Sequence, residues 1–254
     1  MGKDYAVPEC APFLRENKGT ACCLCIHGFT GSPGLYIPLA DRLFEAGFSV
    51  SAPLLPGHGT SPEDLNSVSD EDWIAGAGLE LERLLARYTT VHIIGLSMGG
   101  TLASILAARN AEDPRLGRMV LLAPGFGLKD KRYYAIDYDT VENKMIPLPQ
   151  RQPKGDGLDG TRYGYPAMPL KSVGKLISLT NKAKASLENI RMPTMLLYTA
   201  VDVTADPDDC EQAAGKIKSL VASKRFEKSE HNLLLGCDRL EVIDRTVSFV
   251  AAHS

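Results

Sequence analysis

The chain has 254 residues, of which 44% are apolar and 23% charged, and its formal net charge is −3. That length allows one substantial core. The near-balance of charge offers no basic footprint for nucleic acid and no polybasic stretch for anionic lipid, so a small neutral molecule is the expected partner.

Short apolar runs, Gly- or Pro-bearing turns and amphipathic stretches alternate along the chain, the pattern of a parallel sheet with helices on both faces. Residues 21–27, ACCLCIH, form an unbroken apolar run, as a strand buried on both faces does. Within it Cys22 and Cys23 point to opposite faces, and Cys23 and Cys25 share a face without the loop of a C-x-x-C metal site, so all three read as reduced core thiols. Cys10, Cys210 and Cys237 are scattered and outline no disulfide framework. A helix is predicted over 36–47, stopping at Gly47, and a strand over 48–53 that leads into the turn-rich PGHGTSPED. From Asp70 to Tyr88 the periodicity is helical, opened by Ser69 with Asp72 at capping-box spacing. The strand VHIIG (91–95) precedes LSMGG and a small-residue helix, TLASILAARN. Strands follow at 118–124 and 194–200, then a helix after Pro207, a short strand around KRFEK and a closing helix from Arg239.

Between about 125 and 190 this rhythm breaks: Pro, Gly and Tyr cluster, and an amphipathic stretch, LKSVGKLISLTNKAKASL, follows. A connection this long within a compact domain points to a lid. Tyr163, Tyr165, Met168 and Leu170 are costly to leave in water, so the segment reads as a cap inserted between two core strands of a single domain spanning 1–254. Its basic residues (Lys129, Lys131, Arg132, Lys144, Arg151, Lys154 and Arg162) read as a solvated face, with recognition of a negatively charged substrate as the alternative.

Gly95-Leu96-Ser97-Met98-Gly99 is a G-x-S-x-G pattern with a strand-like run before it and a helix-like run after it, the setting of a nucleophile elbow. The glycines let strand and helix approach while Ser97 sits on a strained turn, and the helix start brings amide N–H groups near any developing negative charge. A serine hydroxyl needs a base, and the base needs an orienting carboxylate. In folds with such an elbow the chain order is Ser, then Asp or Glu, then His. His27, His58 and His92 precede Ser97; of the two that follow, His253 is at the terminus and His231 lies in a loop before the last helix. His231 is therefore the expected base. Asp202, the first carboxylate after the strand TMLLYTA, is the expected acid; the competitor, Asp206, precedes Pro207 and looks like a helix N-terminal residue. Two N–H donors must hold the oxyanion. The amide of Met98 is one candidate, and Phe29 in the loop HGFTGSPG is the other, with His27 bracing that loop.

With LCIHGFTGSPG, PGHGTSPEDL and GLSMGGTL in view, the chain resembles the small bacterial carboxylesterases and monoacylglycerol lipases of the α/β-hydrolase superfamily over nearly its full length, most weakly between about 125 and 165. The resemblance implies an α/β-hydrolase fold with a compact cap over an apolar acyl tunnel. It also implies a Ser97–Asp202–His231 triad with Phe29 and Met98 as oxyanion donors. Where relatives carry an uncharged residue before the base and a small hydrophobe after it, this chain has Glu230 and Asn232. The expected activity is hydrolysis of small to medium apolar acyl esters through an acyl-enzyme, with monoacylglycerol lipase as the narrower alternative and a non-catalytic ligand-binding protein as the remote one. Thioesterase, lactonase and carbon–carbon hydrolase chemistries share the fold.

No metal or organic cofactor is called for, and a monomer or weak homodimer is expected. No run reaches the roughly 18 apolar residues of a membrane span. The first residues lack the basic-then-apolar order of a signal peptide, and Ala6 stands where a myristoylation signal needs Ser or Thr. A cytoplasmic address follows as the expectation.

Overall fold

The computed structural model describes residues 8–148 and 163–252. Its strands, in chain order, are β1 (Phe13–Arg15), β2 (Ala21–Ile26), β3 (Ser49–Ala52), β4 (Thr90–Leu96), β5 (Leu116–Leu122), β6 (Met145–Pro147), β7 (Ala167–Pro169), β8 (Thr194–Thr199) and β9 (Leu220–Phe226). The α-helices are α1 (Ile37–Glu45), α2 (Asp70–Leu85), α3 (Met98–Arg109), α4 (Leu170–Ser186), α5 (Pro207–Lys216) and α6 (Arg239–Ala251). Seven strands form one sheet in the order β1-β3-β2-β4-β5-β8-β9, parallel throughout except for β1, which pairs antiparallel with β3.

The continuous apolar runs explain why the middle of this sheet is hidden on both faces. Along β2, Cys22, Leu24 and Ile26 join one core with Trp73 and Leu81 of α2 and Leu102 and Leu106 of α3. The alternate residues Cys23 and Cys25 join a second core with Leu39 and Leu43 of α1 and Val242, Ile243 and Val250 of α6. All six cysteines are free thiols, and only Cys237 is exposed. Burial pushes the Cys22 thiol up to about 12 and those of Cys23 and Cys25 well above their ordinary range, as expected of small core hydrophobes.

The strand order places the functional crevice. From β2 the chain steps to β3 on one side, then crosses to β4 on the other, so the loops leaving β2 and β4 diverge at the carboxyl end of the sheet. Such a switch point opens a crevice. The pairing of Ile26 with Gly95 sets the loop after β2 directly beside the turn after β4.

Several elements differ from the sequence reading. Strand β1 is too short, at three residues, to show a period. Strand β9 starts at Leu220, four residues before KRFEK, because an edge strand with alternating exposure carries little apolar signal. Helix α3 starts at Met98: Gly99 and Gly100 look like loop but lie inside the helix. Within the 125–190 segment, β6 and β7 pair antiparallel, disguised in the sequence by Pro147 and Pro169, and α4 then packs across α3. Helix α1 ends as foreseen, with Gly47 in the left-handed region at φ +97°.

Ser69 caps α2 with its Oγ accepting from the Asp72 amide at 3.2 Å, while Asp72 Oδ2 accepts from the Ser69 amide at 2.7 Å. Removing that hydroxyl in Ser69→Ala should cost about 1 kcal/mol of stability, read as a lower urea midpoint at unchanged slope. An unshifted midpoint would show that the reciprocal Asp72 bond suffices alone.

Candidate functional site

Ser97 stands between β4 and α3 with φ +55° and ψ −119°, a strained conformation for a residue with a side chain. The turn is locked by its own backbone: the Ser97 amide donates to Leu122 O (2.9 Å), and its carbonyl accepts from Gly100 (2.9 Å), Thr101 (3.1 Å) and Gly125 (3.0 Å). The flanking glycines have no alternative. A Cβ on Gly99 would overlap the Ile26 carbonyl oxygen, and one on Gly95 would overlap the Gly99 carbonyl. One at Gly28 would come within 3.2 Å of Ser97 Cβ.

The structure brings the three residues of the expected triad together. Ser97 Oγ lies 2.9 Å from His231 Nε2, and His231 Nδ1 lies 2.6 Å from Asp202 Oδ2. Asp202 is buried in the turn after β8, and its other oxygen accepts from the Thr204 (2.8 Å) and Ala205 (2.9 Å) amides. This leaves Oδ2 free for the imidazole. The His231 loop is tied to the same strand by Thr199 Oγ1, which donates to Ser229 O at 2.5 Å. It is tied to the start of α6 by Ser229 Oγ, which donates to Asp238 Oδ2 at 2.8 Å. With both ring nitrogens committed, His231 is set in the tautomer that carries its proton on Nδ1 and can take one from Ser97. The competing Asp206 is the N-cap of α5, accepting from the Asp208 amide and paired with Lys129 (3.2 Å) and Lys131 (2.7 Å). The competing histidine, His253, lies outside the described residues.

Phe29 and Met98 border the same cavity as Ser97 and His231. The Gly28–Phe29 peptide is held at its oxygen, which accepts from the Gly31 amide at 3.0 Å and from His27 Nδ1 at 2.9 Å. His27 Nε2 accepts in turn from the Leu55 amide at 3.1 Å, so this fully buried ring braces the loop as the sequence suggested.

The cavity has a volume of about 780 Å³ and opens over Ser97. Its walls are largely apolar: Leu35 and Leu96 below, and Leu128, Ile146, Leu148, Met168, Val173 and Leu176 from the 125–190 segment above. Asn232 lines it beside the imidazole, and its Oδ1 is buried without a hydrogen-bond partner among the described residues. The basic residues of the segment are spent elsewhere. Lys129 and Lys131 pair with Asp206 and Asp209, Arg132 with Asp130 and Lys144 with Glu142. Arg151, Lys154 and Arg162 lie outside the described residues.

One neighbour of the site escaped the sequence reading. His58, in the PGHG turn, is buried, and its Nε2 accepts from the Thr30 amide at 3.2 Å. A histidine inside a Gly-rich turn was the available signal, but nothing in the sequence says which loop it meets.

The family model of the alpha/beta hydrolase family matches residues 23–240. The chain is 29% identical over 260 aligned residues, spanning all of both chains, to the thermostable monoacylglycerol lipase of Bacillus sp. (strain H-257). It is 35% identical over 230 residues, 87% of this chain and 88% of the other, to a carboxylesterase of Bacillus subtilis (strain 168). Among solved structures it is similar, at a TM-score of 0.87 and 24% identity, to a chain from work on LipS and LipT, two metagenome-derived lipolytic enzymes; 97% of this chain and 99% of that one are covered. That likeness bears on the fold.

Three buried histidines are kept neutral chiefly by desolvation, His27 and His92 down to about 4 and His58 to about 3. Unfolded, each titrates near 6.5, so between these values the unfolded chain binds more protons. Stability should thus be full above about pH 6.5 and fall as the pH drops toward about 4, by up to about 1.4 kcal/mol per pH unit for each histidine. Asp206, whose burial is outweighed by hydrogen bonds from Lys131 and Lys129, adds its loss only at lower pH. Urea unfolding across that range checks this; a flat profile would contradict it.

Proposed function

The chain belongs to the alpha/beta hydrolase family, and from that premise we propose that it is a serine carboxylic-ester hydrolase with Ser97 as nucleophile, His231 as general base and Asp202 as orienting carboxylate. The observation that carries this reading is the unbroken hydrogen-bonded line from Ser97 Oγ through His231 to a buried Asp202, opening into an apolar cavity.

The reaction is two-step acyl transfer. As Ser97 Oγ attacks the ester carbonyl, His231 Nε2 takes its proton. The amides of Phe29 and Met98 receive the developing oxyanion, each contributing about 3–4 kcal/mol to lowering the barrier. His231 then gives its proton to the departing alcohol. Water enters, loses a proton to His231 and releases the acid, while Asp202 stabilises the imidazolium without being protonated. The chemistry runs without a metal or an organic cofactor.

Residues 1–254 form one domain in this reading, with the segment at about 125–190 acting as its cap. An apolar cavity of about 780 Å³ falls within the range of small-molecule sites and suits small to medium acyl chains. A narrower assignment as a monoacylglycerol lipase draws support from the end-to-end alignment with the Bacillus enzyme of that name. A non-catalytic binding protein has no need of three aligned triad members. No helix among the described residues is long and apolar enough to cross a membrane, and the buried thiols suit a cytoplasmic address. The working assembly is a monomer or weak homodimer.

Ser97→Ala should abolish turnover of p-nitrophenyl esters, at least about a thousandfold in kcat, while leaving the unfolding midpoint near that of the wild type. A mutant that keeps its activity would sink the assignment. With that variant as blank, p-nitrophenyl esters of graded length and then monoacylglycerols should separate the two readings. A peak at medium or long chains with monoacylglycerol turnover identifies the lipase; activity confined to short acyl groups identifies a general carboxylesterase.

A further inference from the structure

The loop that carries Phe29 is held from outside the sheet as well as from within it. Thr30, the next residue, has φ +62°, a conformation that a residue with a side chain keeps only when its surroundings impose it. Every polar group of Thr30 is engaged. Its amide donates to His58 Nε2 (3.2 Å), its hydroxyl donates to Phe29 O (2.6 Å), and its carbonyl accepts from the Tyr165 amide (2.8 Å). Peptide units are planar, so the Thr30 amide and hydroxyl contacts fix the plane after Phe29, and the Tyr165 amide fixes the plane that follows Thr30. His27 and Gly31 hold the plane before Phe29 through Gly28 O. The Phe29 N–H lies in that preceding plane, which the plane after Phe29 restrains through the shared Cα.

The outer contacts converge on Tyr165, which comes from the 125–190 segment. Its ring lies parallel to that of His58, 5° apart in plane with centroids at 6.2 Å. Its hydroxyl donates to Gly57 O (3.0 Å) and accepts from the Thr60 amide (3.0 Å), clamping the turn that holds His58. His58 Nδ1 donates to Pro56 O (3.0 Å), which turns the Nε2 lone pair toward Thr30. Next to Tyr165, Gly164 has no room for a side chain: a Cβ there would come within 2.8 Å of the Thr30 carbonyl oxygen.

We propose that Tyr165 and His58 are positioning residues for the oxyanion loop, so that docking of the cap segment around Tyr165 on Thr30 helps keep the Phe29 amide aimed at the reacting carbonyl. This rests on the reading of Phe29 as an oxyanion donor. Neither side chain reaches the Ser97 proton: His58 spends both nitrogens on backbone, and Tyr165 spends its hydroxyl on the 57–60 turn. A brace of this kind acts on the transition state rather than on ground-state binding, and it couples the fit of the cap to kcat.

The experiment compares wild type, Tyr165→Phe, His58→Leu and His58→Gln on one p-nitrophenyl ester, normalised by active-site titration, with Ser97→Ala as blank. It also compares inhibition by a trifluoromethyl ketone, which forms a tetrahedral oxyanion on serine. His58→Leu should lower kcat about 10- to 100-fold, less than or equal to the loss of one oxyanion donor, with KM changed less than about twofold. Tyr165→Phe, which keeps the stacked ring, should lower kcat about 3- to 10-fold. A glutamine side chain offers an acceptor oxygen, so His58→Gln should recover at least about threefold over His58→Leu, and ketone affinity should weaken in step with kcat. Unchanged kcat per folded molecule, or a loss confined to KM, overturns the brace; if His58→Leu fails to fold, Tyr165→Phe decides alone. Absence of Ser97-dependent hydrolysis in the wild type removes the esterase reading itself, and the brace with it.

Discussion

The close approach of α3 to β2 is the constraint on which the site depends. Gly99 lies so near the Ile26 carbonyl that no side chain fits between them, and Gly95 is equally tight against Gly99. The approach forces the strained backbone at Ser97, and the strain projects its hydroxyl out of the turn rather than into a core. It also sets Ser97 beside Gly28, so the loop after β2 and the turn after β4 share one crevice. The surrounding packing offsets the strain. Helix α3 is buried from Met98 to Ala107, with β4 and β5 beneath it and α4 across it.

Around that turn the protein separates histidines by what their nitrogens face. His27 and His58 have both nitrogens spent on backbone groups, and burial outweighs those bonds, lowering them to about 4 and about 3 and keeping them neutral acceptors. Protonating either would remove the lone pair that a loop amide requires. His231 faces a buried carboxylate on one side and a hydroxyl in an open cavity on the other, the one arrangement here in which gaining a proton is met by a partner. The same residue type is thus a buried strut at two positions and, in the proposed mechanism, the proton carrier at the third.

The placement of the candidate site was more legible in the sequence than the architecture above the sheet. The elbow could be read because its requirements are local: an apolar strand, glycines on both sides of one serine and a small-residue helix. Asp202 and His231 followed from chain order and from lying just beyond strands, and Asp206 betrayed itself as a helix cap by preceding Pro207. The β6–β7 pairing and the contact of His58 with Thr30 were not legible, because each depends on contacts between residues far apart in the chain. Tyr165 meets Gly57 and Thr60 across 108 and 105 residues, a pairing that no period or spacing encodes. Lys129 and Lys131 are solvent-exposed, in keeping with the solvated-face reading, but their ion pairs also fasten the chain beyond β5 to the start of α5, which the sequence did not reveal.

That fastening divides the segment above the site into parts with different duties. Near β5, residues 127–129 are tied to 204–206 by backbone bonds from Lys129 to Thr204 and from Asp206 to Gly127, and by lysines on Asp206 and Asp209. Lys184 of α4 also reaches Asp209, so the helix that walls the cavity is anchored to the same carboxylate. These ties stand beside the turn that holds Asp202. The stretch at Tyr163–Pro166 instead meets the loop after β2 through a backbone bond to Thr30, and the Gly57–Thr60 turn through the Tyr165 hydroxyl. Substitutions on the cavity side of β6, β7 and α4 can therefore reshape the cavity wall without disturbing the Ser97–His231–Asp202 line, which rests on β4, β8 and the loop before α6. Changes that lift Tyr165 cannot be separated from Phe29 in the same way, because its contacts run to the neighbouring residue, Thr30.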